Sequence, residues 1–155
     1  MNDQWRITRA TADEALIIVR LVSRLLTEVA AAPLPMPEDE ATELCLAMMG
    51  GGNYFPILAY STAQPAGVLC LGRGQALYAG GEFGIIEELY IAPEFRGEGL
   101  GRRLIAHAEL VAKEKHWKRL EVGAPRSPRG DAAVLFYENS GFTRLGPRLF
   151  KALDE

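Results

Sequence analysis

A mixed α/β fold, with a central sheet and helices on both of its faces, is what this sequence predicts, and three observations carry the expectation. Strand-like and helix-like segments interleave along the chain rather than separating into blocks. Residues 87–101, EELYIAPEFRGEGLG, run from an apolar strand into a glycine-rich turn and then into a helix-forming segment. A length of 155 residues, 48% apolar and 24% charged, suits one globular domain with a real core, expected to span residues 1–155.

The elements follow in order. Residues 5–8 alternate as a first strand. Thr11 or Asp13 can cap a helix running to about Ala32, with Leu16, Val19, Val22 and Leu26 near helical spacing. Pro33, Pro35 and Pro37 then break the chain. Residues 38–49 form a second helix that stops at Gly50, Gly51 and Gly52. Residues 54–60 and 67–71 are two strands joined around Gln64 and Pro65. Residues 72–84 are ambiguous; one solution extends the third strand through Leu77 and Tyr78 and turns at Gly80 and Gly81. The fourth strand covers residues 84–92. A helix over 100–116 places Leu100, Leu104, Ala108 and Val111 on one face. Residues 119–124 make a fifth strand, and 125–130 a loop. Asp131 is placed to cap a helix over 132–139. Residues 142–145 and 149–153 are expected to close the sheet as a final antiparallel pair.

Composition excludes several function classes. A net charge of −3 lacks the basic footprint that nucleic-acid binding usually leaves. No apolar run of about 18 residues is present, so no membrane partner is expected. The N-terminal MNDQWRITRA has no leader-like hydrophobic region. Cys45 and Cys70 sit in apolar settings without ligand spacing and suit buried thiols of a reducing, cytoplasmic compartment. His107 and His116 are not a zinc pattern, so no metal is expected.

The glycine turn carries the chemistry. Pro93 ends regular pairing, Gly97 and Gly99 let the backbone turn sharply, and the helix that follows offers unpaired N–H groups to an anion. The turn is therefore a pyrophosphate cradle. A dinucleotide fingerprint fails, because Arg102 stands where the third glycine should be, and the P-loop pattern is absent. What remains is R-x-x-G-x-G, from Arg96 through Gly99 to Gly101. This resembles the acyl-CoA signature of the GNAT superfamily of N-acetyltransferases. A second segment, Leu135-Phe136-Tyr137-Glu138-Asn139-Ser140-Gly141-Phe142, is similar to the L-[FY]-Y-x-x-x-G-F stretch that ends the last helix in that superfamily. The two motifs stand in the family's order and with their strands cover about residues 84–145.

The resemblance implies a GNAT-type, mostly antiparallel sheet of about six to seven strands, splayed between strands four and five. It also implies transfer of an acetyl group from acetyl-CoA, as co-substrate, to a primary amine. The route is direct attack in a ternary complex. Backbone groups of Arg96, Gly97, Glu98, Gly99, Leu100, Gly101 and Arg102 would hold the pyrophosphate, and Arg96 could fork to phosphate oxygens. Arg102 and Arg103 either reach the adenosine 3′-phosphate or are a solvated helix face. Main-chain groups of Leu89, Tyr90 and Ile91 would pair with the pantetheine amides. Tyr137 holds the family's general-acid position and would protonate the leaving thiolate. For the base, Glu87 lies nine residues ahead of Arg96 as in relatives that acetylate small amines. Glu88 is the second candidate and Glu121 the third; a chain of waters is the alternative. As neighbours on a strand, Glu87 and Glu88 are expected to point to opposite faces.

One departure stands out. Many relatives carry Asn seven residues before the tyrosine, and here that position is Gly130. Arg126 and Arg129 in the same loop are either a replacement contact or solvated. The acceptor segments carry no motif. An acidic rim of Glu28, Glu38, Asp39, Glu40 and Glu43 would suit a small cationic amine, or else it is ordinary solvated surface. Alternatives are a protein N-terminal or lysine acceptor, and a non-catalytic acyl-CoA sensor of the same fold. A homodimer is the default assembly if the chain associates.

Overall fold

The computed structural model describes residues 4–153. The expectation that residues 1–3 belong to an N-terminal segment without a leader falls outside them. The chain forms two compact units, Met1–Val122 and Gly123–Glu155.

The first unit holds one five-stranded sheet in the order β1-β2-β3-β4-β5. The strands are β1 (Arg6–Arg9), β2 (Tyr54–Ser61), β3 (Gln64–Ala76), β4 (Gly81–Ile91) and β5 (Leu120–Val122). Pairing is antiparallel from β1 through β4, and β5 joins β4 in parallel. Three helices belong to this unit: α1 (Ala15–Ala30), α2 (Glu38–Gly50) and α3 (Leu100–Glu114).

Each helix begins and ends for a local reason. A short 3-10 turn precedes α1, and Thr11 and Glu14 close a capping box over it. Ala31, left-handed at φ 52°, terminates α1 before the proline run. Helix α2 gives way to Gly51 and to Gly52 at φ +71°. Gly99, left-handed at φ +89°, stands immediately before α3.

The two faces of the sheet take different helices. Ile18, Val19, Leu21 and Val22 of α1 and Ala41 and Cys45 of α2 join one core cluster with Leu58, Val68, Cys70 and Tyr90 of the sheet. The alternate strand residues Ile57, Leu69, Leu71 and Ile86 are also fully buried, and α3 contributes the buried Leu100, Leu104 and Ala108. A Cβ added to Gly67 would stand 3.5 Å from Leu104 Cδ1, so α3 lies close over β3.

The sequence expectations hold for the class and need correction in detail. The third strand does run through the ambiguous segment to Ala76, after which a 3-10 turn at Leu77–Ala79 leads to the glycine turn. The sheet has five strands among the described residues, not six or seven. Residues 142–153 form no strand. Pro147 lacks the ladder donor, Gly146 sits at φ +138°, and Leu149 and Phe150 are almost fully exposed, so the apolar alternation there does not become a ladder. In the second unit, α4 (Asp131–Asn139) begins at Asp131 itself, preceded by Gly130. Asp131 is not the cap; its carboxylate instead accepts the Ser127 hydroxyl at 2.8 Å.

Candidate active site

The glycine turn has the form its sequence predicts. β4 ends at Ile91, Ala92 donates its N–H to Ala66 O at 2.9 Å, and a 3-10 turn follows at Pro93–Phe95. Gly97 (φ +80°) and Gly99 (φ +89°) both occupy the left-handed region, and nothing lies within 4 Å of where a side chain would begin on either. The backbone is open at the foot of a 15-residue helix. Such a helix start favours negative charge through its unpaired N–H groups and its dipole.

Arg96 is engaged elsewhere. Its guanidinium makes two hydrogen bonds of 2.7 Å to the Glu28 carboxylate of α1 and a third of 2.8 Å to Ile91 O, and lies 5.5 Å from the Tyr90 ring centre. The Glu28 carboxyl is held below its usual range by the Arg96 hydrogen bonds, against a smaller upward push from burial. The fork expected to reach phosphate thus ties the turn to α1. Glu98 accepts a hydrogen bond of 2.8 Å from the Gln4 amide. Arg102 is exposed, and Arg103 stands over the Trp5 ring at 5.8 Å.

Upstream on the same strand the ladder is irregular. Cys70 pairs with Glu88 and Leu71 pairs with Ile86, leaving Glu87 as an extra residue. This β-bulge breaks the alternation of side chains. Glu87 and Glu88 do not point to opposite faces; both line one cleft of about 250 Å³, with Met48, Asn53, Tyr54, Gly72, Arg73 and Ile85. Gly72 makes room there, since a Cβ on it would stand 3.1 Å from Glu87 Cγ. β4 also outruns its parallel partner. Pairing to β5 covers Gly84, Ile85 and Ile86, and the strand continues through Leu89, Tyr90 and Ile91 to the turn.

The two acids differ in setting. Glu87 is exposed. Glu88 is half-buried, and the Tyr54 hydroxyl donates to its Oε1 at 2.5 Å. Burial pushes the Glu88 carboxyl above its usual range and the Glu87 charge adds to the push, while hydrogen bonds from Tyr54 and Cys70 oppose it. Arg73 is pinned by Gly52 O at 2.8 Å and Asn53 Oδ1 at 2.9 Å, and pairs with Glu82 at 3.3 Å. Glu121, the third candidate, is outside the cleft lining. It pairs with Arg119 at 3.0 Å and accepts the Tyr78 hydroxyl at 3.0 Å. The acidic rim is partly neutralised, because Glu28 is paired to Arg96 and Glu38 to Arg20. Sequence reasoning did not single out Tyr54, Asn53 or Arg73. Its only signal for them was two adjacent acids inside an apolar strand.

In the second unit, Tyr137 is buried between Phe136 and Phe142, with ring centres 5.3 and 5.5 Å away. Burial raises its phenol to about 12, so it stays protonated at neutral pH. Gly130 explains the missing asparagine. A Cβ there would lie 1.6 Å from Pro125 O, which excludes any side chain from this loop conformation.

Comparison with known proteins gives the family and the fold. The family model for an acetyltransferase (GNAT) domain matches residues 53–144. The chain belongs to the GNAT acetyltransferase family. Solved structures share its fold. A predicted acetyltransferase with acetyl-CoA from Clostridium acetobutylicum is 17% identical with a TM-score of 0.81, covering 96% of each chain. An aminoglycoside acetyltransferase from an uncultured soil metagenomic sample, in complex with trehalose, is 18% identical with a TM-score of 0.81, covering 99% of each. A ribosomal-protein-alanine N-acetyltransferase from Brucella melitensis biovar Abortus 2308 is 17% identical with a TM-score of 0.73, covering 96% of this chain and 99% of the other. Among the described residues no group of side chains is arranged to hold a metal, and no helix is long and apolar enough to cross a membrane.

Proposed function

We propose that this GNAT protein, acting as one domain over residues 1–155, transfers an acetyl group from acetyl-CoA to a primary amine of a small molecule by direct attack in a ternary complex. The observation that carries this is the run of β4. Two carboxylates line a cleft at Glu87 and Glu88, a strand edge follows at Leu89, Tyr90 and Ile91, and an open left-handed glycine turn comes next. Acceptor, thioester arm and pyrophosphate each have a place in that order.

Backbone N–H groups of Gly97, Glu98, Gly99, Leu100, Gly101 and Arg102 hold the pyrophosphate, the Arg96 N–H being taken by Pro93 O at 3.3 Å, and the main chain of residues 89–91 pairs with the pantetheine amides. Arg96 contributes by fastening the turn to Glu28 rather than by touching phosphate. An ammonium entering the cleft is drawn by the carboxylates and loses one proton to Glu87 or Glu88. The amine nitrogen then bonds to the acyl carbon as the carbon–sulfur bond breaks. Tyr137, by its motif position, protonates the departing thiolate, and the nitrogen's second proton passes through water to restore the phenol. The products are an amide and free thiol, and the carboxyl returns its proton to water. The open cleft and its carboxylates support a small cationic acceptor. The buried free thiols Cys45 and Cys70 support a cytoplasmic setting.

Calorimetric titration with acetyl-CoA, with ATP and NAD as controls, tests the cofactor assignment; binding of acetyl-CoA alone is expected. Thiol release is then followed with an aminoglycoside, a linear polyamine, an amino-acid amide and an alanine-terminated peptide. Turnover of the peptide alone overturns the small-molecule assignment. Binding without turnover of any amine leaves an acyl-CoA sensor.

A further inference from the structure

Two carboxylates share the cleft, and the structure treats them differently. The bulge at Glu87 places Glu88 across from Cys70 and toward the helix-covered face of the sheet, while Glu87 remains exposed over Gly72. Tyr54 belongs to β2, two strands away from Glu88 on β4, yet its hydroxyl reaches the carboxylate at 2.5 Å from Oε1. That reach crosses β3, where the residue paired with Tyr54 is Gly72. No side chain stands on Gly72 to block it. Tyr54 is itself buried at 9% exposure, packed with the α1 and α2 residues of the core cluster. A buried ring fixes its hydroxyl, and a fixed donor to a carboxylate fixes the carboxylate.

We propose that Tyr54 is a positioning residue for acetyl transfer, holding the Glu88 carboxylate in the cleft as the group that takes the ammonium's proton. The inference rests on the acetyl-transfer function proposed above. Oε1 accepts the phenol, and Oε2, 3.4 Å from the same hydroxyl, keeps lone pairs for the incoming ammonium. Glu87, at the exposed side of the cleft, supplies negative charge that attracts the cation without accepting its proton. The proton moves from nitrogen to Glu88, and the tyrosine keeps its own throughout. Burial and the Glu88 charge both hold the Tyr54 phenol well above its ordinary range. The other titratable or charged groups near Glu88 are the Cys45 thiol on α2, the Cys70 thiol and the cleft-lining Arg73 on β3, the latter bonded to Gly52 O, Asn53 and Glu82, and Glu87 on β4. Both thiols are held above their ordinary range by burial, so they stay neutral at pH 7. The α1 residues in the cluster are apolar.

Tyr54→Phe keeps the ring and removes only the donor. The Tyr54 bond stabilises the charged carboxylate, so its loss should move Glu88 to a higher midpoint. This is read directly from the Glu88 side-chain carboxyl carbon by NMR titration of the full chain without ligand. With the amine found by the screen above, Tyr54→Phe should lower kcat about tenfold at pH 7 and shift the acidic limb of the kcat profile to higher pH. The KM for acetyl-CoA should not change. In a Glu88→Gln background the same tyrosine change should have no further effect on kcat. An unmoved NMR midpoint and an unmoved acidic limb in Tyr54→Phe overturn the inference while wild-type turnover leaves the proposed function standing. Full additivity of Tyr54→Phe and Glu88→Gln also overturns it. A wild-type chain that binds acetyl-CoA but releases no thiol with any amine overturns the proposed function, and the base role of Glu88 with it.

Discussion

The glycine turn after β4 and the bulge within β4 are separated by only a few residues, yet they are built on different principles. At the turn, Gly97 and Gly99 hold left-handed backbone that other residues adopt at a cost, and the side-chain space beyond them is empty. The role proposed for the turn depends on residue type at fixed spacing. At the bulge, Glu87 and Glu88 reach one cleft because β3 and β4 are out of register by one residue. The role proposed for the two acids depends on which strand pairs with which, and on Tyr54 from a third strand. A local device should fail when its own residue changes. A tertiary device should fail when a distant partner changes.

The largest effect is expected at the turn. Gly99→Val puts a β-branched side chain on left-handed backbone and into the open space. The Kd for acetyl-CoA in calorimetry should rise at least about a hundredfold, close to 3 kcal/mol. Wild-type affinity in that variant would remove the cradle. Tyr137→Phe should come next, with kcat lowered about tenfold or more and the acetyl-CoA KM little changed in steady-state assays. An unchanged kcat takes Tyr137 out of the acid role. Glu87→Gln sharpens the contrast between the paired acids. Loss of a charge that attracts the amine and pushes the Glu88 carboxyl up should raise the acceptor KM several-fold and move the acidic limb of kcat slightly to lower pH. Loss of the acidic limb together with a large fall in kcat in that variant would make Glu87 the base.

The smallest effect is expected at the tether between turn and helix. Arg96 depresses the Glu28 carboxyl, so the pair stabilises the fold at pH above the ordinary carboxylate range and loses that contribution as pH falls through the lowered value. Both side chains are nearly half exposed, and solvent screening limits the effect to under about 1 kcal/mol. Thermal melts of Glu28→Gln should therefore lie slightly below wild type at pH 7 and converge with it in acid. A gap that widens on acidification would mean that the pair is not what Glu28 contributes.

Much of the molecule was legible in the chain. Proline and glycine punctuation marked the ends of α1 and α2, and the four-residue periodicity of Leu100, Leu104 and Ala108 marked the buried stripe of α3. The turn was legible for the same reason, since it is built from conformations that only particular residues readily adopt. The closing strand pair over 142–153 was not. Apolar alternation states what a segment would bury if it found a surface, and Leu149 and Phe150 remain exposed. Gly130 looked like a departure from a family pattern; the nearness of Pro125 O shows it to be a steric requirement.

By itself, then, the sequence determined the class of fold, the order of elements as far as α4 and the glycine turn, because propensity, capping and left-handed backbone act over a few neighbouring residues. Only the tertiary structure decided that Glu87 and Glu88 share a cleft, that Tyr54 holds one of them, and that Arg96 answers to Glu28. Each of these depends on strand register or helix docking, in which residues 34 and 68 positions apart meet. Register follows from the packing of whole faces, and no local pattern encodes a bulge of one residue.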